Sequence, residues 1–150
     1  MKDTRQYLQI LNLNPDGEDI SDCSTRSLAY CLNEDYSKLR KLQNDLSVLL
    51  TGSKTDWNSH AVFESILQSR NWRKILFKKK IPRYKLAQIL KGNIKIFTES
   101  YGHVAPIHNG KVIDTWNCTR GRVSSIFVPE KYLANLCVKL THFGIECLSD

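Results

Sequence analysis

The first half of the chain places its apolar residues at the spacing of α-helices. An amphipathic helix over residues 36–50 is marked by five leucines at helical intervals, Leu39, Leu42, Leu46, Leu49 and Leu50. The same criterion predicts a short helix over residues 22–32 and a third helix over residues 56–69. The N-terminal part of the protein is therefore expected to be helical.

After residue 70 the pattern changes to short runs that are typical of strands. Strands are predicted at residues 72–77, 94–98 and 122–128, with a short helix at 83–90 and a last helix from 130 to about 142. This order predicts an α+β fold in which N-terminal helices pack on a mostly antiparallel sheet. A length of 150 residues predicts one domain, residues 1–150.

The segment HVAPIHNGKVIDTW, residues 103–116, predicts a β-hairpin around the turn Asn109-Gly110. The register of a two-residue turn pairs His108 with Lys111, Ile107 with Val112, Pro106 with Ile113, Ala105 with Asp114, and His103 with Trp116. His103 and Asp114 then share a face as diagonal neighbours, within reach of an imidazole–carboxylate hydrogen bond. The alternative is an ordinary surface hairpin whose His and Asp share a face without function.

Cys23 is the candidate nucleophile that would complete such a site. It follows Asp22, the expected N-cap of the first helix, for which Ser21 is the alternative. In the first turn of a helix the dipole and the unpaired N–H groups favour a thiolate and can bind an oxyanion. Cys31 lies inside the same helix and is expected to be a buried hydrophobic residue. The remaining cysteines have no equivalent setting: Cys118, Cys137 and Cys147.

Two blocks of the sequence resemble a family of small papain-like cysteine-protease-fold proteins that occur in bacteriophages and prophages. The family opens with Asp-Cys-x-x-Arg on a helix and closes with Gly-His followed by Asp-(Thr/Ser)-Trp. The chain carries DCSTRSLA at 22–29 and GHVAPIHNGKVIDTW at 102–116, with a weaker match between 72 and 97. The resemblance implies a papain-like fold, with Cys23 as nucleophile, His103 as general base and acid, and Asp114 as the residue that orients His103.

The chain departs from this family pattern in three places. Pro106 removes one hydrogen-bond donor from the histidine strand, which predicts an edge or a bulge. No glutamine stands shortly before Cys23 to complete an oxyanion hole, so Gln9, Asn12, Asn14 and backbone amides remain alternatives. Residues 130–150 are expected to be a helical C-terminal addition.

Asn117 is the alternative to Asp114 as orienting residue, because papain itself uses an asparagine.

A second candidate site is the basic stretch RNWRKILFKKKIPRYK, residues 70–85, which contains no acidic residue. Its basic residues, which include Lys78, Lys79 and Lys80, are interleaved with Trp72, Phe77 and Tyr84, so the stretch could bind phosphates and stack on bases. The alternative is a solvated strand edge with its aromatic residues in the core. Three further binding residues are expected near the thiol site, Trp116, Arg120 and Arg122, and the two arginines indicate an anionic substrate.

Composition limits the remaining function classes. No N-terminal signal segment and no membrane-length apolar run is recognisable, and the five cysteines contain no Cys-x-x-Cys pair. We therefore expect a cytoplasmic protein with reduced thiols. For a phage protein this compartment would be the cytoplasm of the host. His60, His108 and His142 lack a ligand pattern, so no metal site and no cofactor are predicted.

Two functions follow from these patterns. The first is a thiol hydrolase that cleaves an amide, isopeptide or thioester bond of a protein or peptide through an acyl-cysteine intermediate, with transfer to an amine left open. The second is a non-catalytic phage effector that uses the same fold and its basic face to bind a host nucleoprotein, nucleic acid or signalling protein. The net charge of +7 is compatible with both.

Overall fold

The computed structural model describes residues 22–148 and, by their backbone alone, residues 7–9. Three helices precede most of the strands, which confirms the predicted α+β class. The helices are α1 (Cys23–Leu32), α2 (Tyr36–Thr51), α3 (His60–Ser69), α4 (Arg83–Ile89) and α5 (Leu133–His142). Short 3-10 helices at Lys54–Asp56 and Glu130–Tyr132 precede α3 and α5.

The described strands form one seven-stranded sheet. They are β1 (Tyr7–Gln9), β2 (Trp72–Pro82), β3 (Ile96–Ser100), β4 (His103–His108), β5 (Lys111–Asp114), β6 (Arg122–Pro129) and β7 (Cys147–Leu148). Their order across the sheet is β1-β5-β4-β3-β6-β2-β7. Six strands are antiparallel to their neighbours, and β1 adds to β5 in parallel at one edge. The prediction of a mostly antiparallel sheet is confirmed.

Helices cover both faces of the sheet. On one face α1, α2 and α3 bury Leu28, Leu39 and Ile66 against Phe97 and Phe127. On the other face α4 and α5 pack on residues that include Ile96 and Ile126. All five positions of β3 are buried, whereas the sequence suggested an alternating strand. A central strand covered on both sides loses its alternation because neither face meets water.

Several predicted boundaries shift. The third helix begins at His60 and not at residue 56, because residues 54–56 form the short 3-10 turn. The predicted strand 72–77 continues to Pro82, since Ile81 and Pro82 pair with β6 after a break in register that follows Leu76. The predicted strand 94–98 lies at 96–100.

The segment predicted as a C-terminal addition packs on the same core as the rest of the chain. Leu136 and Leu140 of α5 are buried in the cluster that contains Ile126, and β7 pairs with Leu76 and Phe77 of β2. Within the described residues, no helix is both long enough and apolar enough to cross a membrane.

Candidate active site

Cys23 is the first residue of α1, and Asp22 occupies the N-cap position as predicted. The Asp22 side chain does not cap the helix, however. Its fully buried carboxylate accepts hydrogen bonds from Arg26 Nη1 at 2.9 Å and from the Tyr36 hydroxyl at 2.6 Å. Asp22 therefore fixes Arg26 and the start of α2, and the first-turn N–H groups beside Cys23 are not capped by it.

The hairpin brings His103 and Asp114 together. The two register pairs next to the turn, His108 with Lys111 and Ile107 with Val112, are confirmed. His103 Nε2 lies 2.6 Å from Asp114 Oδ2. The other carboxylate oxygen accepts from the backbone N–H of Thr115 at 2.7 Å and lies 3.5 Å from Arg26 Nη2. Asp114 is thus held by an imidazole, a guanidinium and a backbone amide.

Cys23 approaches the same histidine from α1. Burial alone would raise the pKa of Cys23, but the His103 imidazole, the backbone N–H of Val104 and the nearby charges of His103 and Arg26 together hold the pKa below its usual value. Asp114 occupies Nε2 of His103, and both Cys23 and Cys118 interact with the ring.

His103 shows the complementary shift. Burial alone would lower the pKa of His103, but its bonds with Asp114, Cys118 and Cys23 raise the pKa to about 11. Burial would likewise raise the pKa of Asp114, but the bond with His103 keeps that pKa below its usual value. The three directions together favour the ion pair of a Cys23 thiolate and a His103 imidazolium over the pair of neutral groups.

Sequence reasoning missed Cys118, which belongs to this cluster. Its sulfur, a His103 ring nitrogen and an Asp114 oxygen all lie within 4.8 Å of one another, and the side chain is buried. Cys118 lies on the loop that leaves β5, where neither periodicity nor a motif marks it. Cys118 has no helix-start setting like that of Cys23, as the sequence indicated, but local sequence gave no sign that it would lie beside His103 and Asp114.

Sequence reasoning also missed the role of Arg83, whose buried side chain connects the elements around the site. It is fully buried, and its guanidinium donates to Thr98 Oγ1, to the carbonyl oxygen of Cys118 and to Ser100 Oγ at 2.8, 3.0 and 2.8 Å. A longer contact of 3.4 Å reaches the carbonyl oxygen of His103. Arg83 therefore connects α4, β3, the start of β4 and the loop of Cys118.

A cleft of about 220 Å³ opens beside His103. Its walls include Tyr101, Trp116 and Arg120. The Trp116 ring is half exposed and lies 4.8 Å from the His103 ring, centroid to centroid. Trp116 and Arg120 are therefore where the sequence placed them. Arg122, expected near the same cleft, does not line it.

Arg122 instead lines a second cavity of about 330 Å³, together with Lys78, Lys79, Lys80 and Lys85. We call this cavity the basic pocket. One wall is apolar, formed in part by Phe143 and Ile145. Two aromatic residues of the 70–85 stretch, Trp72 and Phe77, are buried in the core and present no stacking face. Tyr84, the third aromatic residue of the stretch, is exposed, so two of the three aromatic residues are separated from the basic groups.

The sequence left two questions open: whether Asn117 orients His103 in place of Asp114, and which side chain or backbone amide completes the oxyanion hole. Asn117 Oδ1 accepts from the backbone N–H and the hydroxyl of Thr119 at 3.1 and 2.7 Å, so it is engaged in its own turn. The backbone of Gln9 pairs with Asp114 in the parallel ladder. Ser21, Asn12 and Asn14 lie outside the described residues.

Two histidines for which the sequence showed no partner pattern, His108 and His60, have hydrogen-bond partners in the structure. His108 Nδ1 bonds the Tyr30 hydroxyl at 2.7 Å, and its Nε2 bonds Asn93 Oδ1 at 2.8 Å. His60 Nδ1 lies 2.9 Å from Glu99 Oε2. The prediction of no metal site was made from sequence spacing, which does not show which side chains lie near His60 and His103 in the fold.

Comparison with known proteins adds no relative. No protein family model matches the chain, and no curated protein or solved structure is significantly similar to it.

Proposed function

We propose that this chain is a papain-like thiol hydrolase with Cys23 as its nucleophile. The observation that carries the proposal is the hydrogen bond between His103 and Asp114, with the Cys23 thiol at the start of α1 close enough to the same imidazole to have its pKa lowered by it. A thiolate at a helix start, an imidazole and an orienting carboxylate, in that chain order, form the constellation of papain-like enzymes. The resemblance of residues 22–29 and 102–116 to the phage and prophage family supports the same assignment.

The geometry accounts for each step of an acyl transfer. The Cys23 thiolate adds to the carbonyl carbon of an amide, isopeptide or thioester, and the oxyanion is stabilised by N–H groups at the start of α1. His103 gives its proton to the leaving amine or thiol as the carbon–leaving-group bond breaks, which leaves acyl-Cys23. Neutral His103 then takes a proton from water, whose oxygen attacks the acyl carbon and releases a carboxylic acid and the thiolate. An amine in place of water would give transfer.

The cleft beside His103 indicates how a substrate is held. Tyr101 is almost fully exposed and Trp116 is half exposed, so both present apolar surface to a peptide. Arg120 adds a positive charge on the same cleft. A protein or peptide substrate with an acidic or aromatic group near the scissile bond fits this lining. A mechanism that needs a reduced thiol suits a cytoplasm, and for a phage-encoded enzyme the cytoplasm of the host.

Acyl trapping tests the proposal directly. The chain is incubated with an activated acyl ester, and intact-protein mass spectrometry follows the adduct over time. We expect one acyl group on Cys23 that forms and then decays by hydrolysis. Cys23→Ala should remove the adduct, and Cys137→Ala, which alters another half-buried thiol, should leave it unchanged. Acylation spread over several cysteines, or none in the wild type, would contradict the hydrolase.

The basic pocket favours a second candidate, a non-catalytic protein that binds an anionic partner such as a nucleic acid or nucleoprotein. Its cationic side chains surround one cavity, and Lys78, Lys79 and Lys80 are exposed. Under this candidate, replacing these three lysines with glutamine weakens binding and lowers its salt slope by roughly two to three, whereas Cys23→Ala changes nothing. The matched control replaces three exposed lysines elsewhere, Lys38, Lys54 and Lys91. The hydrolase predicts the reverse pattern.

A further inference from the structure

A second cluster of ligand-type side chains lies between α3 and β3. His60 and Glu64 are one helical turn apart on α3, and Glu99 projects from β3 towards them. His60 Nδ1 lies 2.9 Å from Glu99 Oε2 and 3.9 Å from Glu64 Oε2. One ligand atom from each of the three side chains lies within 4.8 Å of the other two.

Glu99 is the unusual member of the cluster. It is 1% exposed, on the central strand of the sheet. Among the described residues its Oε1 has no hydrogen-bond partner, whereas buried carboxylate oxygens are normally paired. Because Oε1 belongs to the same carboxyl group that contacts His60, this unsatisfied oxygen lies at the cluster itself.

Two carboxyl groups share few basic partners at this cluster. Glu64 lies beside Glu99, and Lys74 Nζ lies 2.8 Å from Glu64 Oε2. His60 is the basic group in contact with Glu99. A divalent cation among the three side chains would neutralise both carboxylates and give Oε1 a partner.

We propose that His60, Glu64 and Glu99 bind a divalent transition-metal ion such as Zn²⁺ or Co²⁺. An imidazole with two carboxylates is a ligand set for such ions, whereas Mg²⁺ and Ca²⁺ prefer oxygen alone. Ligands at about 2.0–2.1 Å from a tetrahedral ion are separated by about 3.3 Å. The separations of 2.9 and 3.9 Å lie on either side of that value, so side-chain shifts below one ångström would complete the site.

The position of the ion gives it a structural consequence. It would tie the first turns of α3 to β3, where Ser100 follows Glu99 and pairs with His103 of β4. His60 is largely exposed, so water can reach the ion and complete its coordination. The site does not depend on the thiol chemistry, and neither result of the acylation experiment bears on it.

Cobalt titration of the full-length, reduced, chelator-treated chain tests the proposal. Co²⁺ bound by nitrogen and oxygen gives visible d–d absorption without the near-ultraviolet charge-transfer band of a cobalt–thiolate bond. We expect one equivalent to bind without that band. His60→Ala should weaken binding at least about tenfold, and His142→Ala, which removes another exposed histidine, should not. Lys74→Met should tighten binding severalfold, because the ammonium competes with the ion for Glu64.

Three results would overturn the proposal. The first is the absence of saturable Co²⁺ binding to the wild type. The second is a thiolate band that persists in His60→Ala and disappears in Cys118→Ala, which would place the ion at the cluster of His103, Asp114 and Cys118. The third is an affinity of Lys74→Met equal to or below that of the wild type, since Glu64 would then not coordinate the ion. Glu99→Gln tests a second ligand in the same way as His60→Ala. Circular dichroism checks that the Glu99→Gln variant folds.

Discussion

Asp114 is the residue on which the protonation of the site depends. Its carboxylate bonds His103 on one side and lies against Arg26 on the other. Arg26 also pairs with Asp22 at 2.9 Å, so two carboxylates share this guanidinium. Each buried carboxylate of the site, Asp22 and Asp114, therefore has a cationic partner, as low-polarity surroundings require.

Replacing that carboxylate should stop turnover. Asp114→Asn offers an amide that no longer stabilises the imidazolium or selects the tautomer of His103, and we expect turnover of an activated ester to fall about 10³–10⁴-fold. Asn117→Ala is the matched control and should retain activity, because the Asn117 amide is engaged with Thr119. Loss of activity in Asn117→Ala with an active Asp114→Asn would reverse the assignment of the orienting residue.

The thiolate of Cys23 should be visible in its reactivity. Because the pKa of Cys23 is held below its ordinary value of 9.0, the rate of alkylation by iodoacetamide should level off at a pH where a free thiol is still gaining reactivity. His103→Ala removes the main hydrogen bond that lowers this pKa and should move the inflection upward. Peptide mapping with mass spectrometry assigns the rate to Cys23. An inflection that is the same in both proteins would mean that His103 does not act on the sulfur.

At the scale of elements, α4 holds the site through the side chain of Arg83 and through the backbone N–H groups of Arg83 and Tyr84, which donate to Gly121 and Thr119 of the Cys118 loop. Arg83, its first residue, reaches β3, β4 and the loop of Cys118. Gly121 leaves room for it, since a Cβ there would lie 2.5 Å from Arg83 Nη1. The loop that carries Cys118 is therefore shaped by a buried guanidinium as well as by its own turn, in which the Gly121 N–H donates to the Cys118 carbonyl oxygen.

Arg83→Lys should destabilise the protein. Lysine keeps the charge but loses the planar fork, so several buried acceptors lose their donors, at a cost of about 1–3 kcal/mol in the free energy of unfolding. Arg122→Lys is the control, because Arg122 is exposed at the edge of the basic pocket. Urea denaturation measures both variants. Equal midpoints in the two would show that the contacts of Arg83 do not contribute to stability.

At the scale of the whole molecule, the buried pair His103–Asp114 couples stability to pH. The pKa of His103 rises from 6.5 to about 11 on folding, so its stabilisation is complete below pH 6.5 and is lost as pH rises towards 11. The pKa of Asp114 falls below 3.8, so its stabilisation is present above that pH and lost in acid. Burial also raises the pKa of Glu99 from 4.5 to about 8. The stability that Glu99 contributes is therefore lost as pH rises from 4.5 to 8.

A comparison in the Cys23→Ala background isolates the histidine, since the thiolate has the opposite dependence. Between about pH 8 and 9 the Glu99 contribution has already been lost, and the His103 contribution is still declining. We expect the urea midpoint of Cys23→Ala to fall across this interval, and that of Cys23→Ala/His103→Gln to fall less. Parallel declines in the two proteins would contradict a raised pKa for His103.

The sequence by itself determined the features that depend on neighbouring residues. Leucine periodicity predicted α2, and the Asn109-Gly110 turn predicted the register of β4 and β5, because both follow from local backbone geometry. That register is sufficient to put His103 and Asp114 on one face of the hairpin. Cys23 at the start of a helix was readable for the same reason.

Only the tertiary structure decided which distant residues meet. Arg26 contacts Asp114 across 88 positions of sequence, and His60 contacts Glu99 across 39. Cys118 enters the site because Arg83 holds its loop, and β3 is buried on both faces because helices from both ends of the chain cover the sheet. Such contacts arise from packing that satisfies buried charges and removes apolar surface from water, and no short stretch of sequence encodes it.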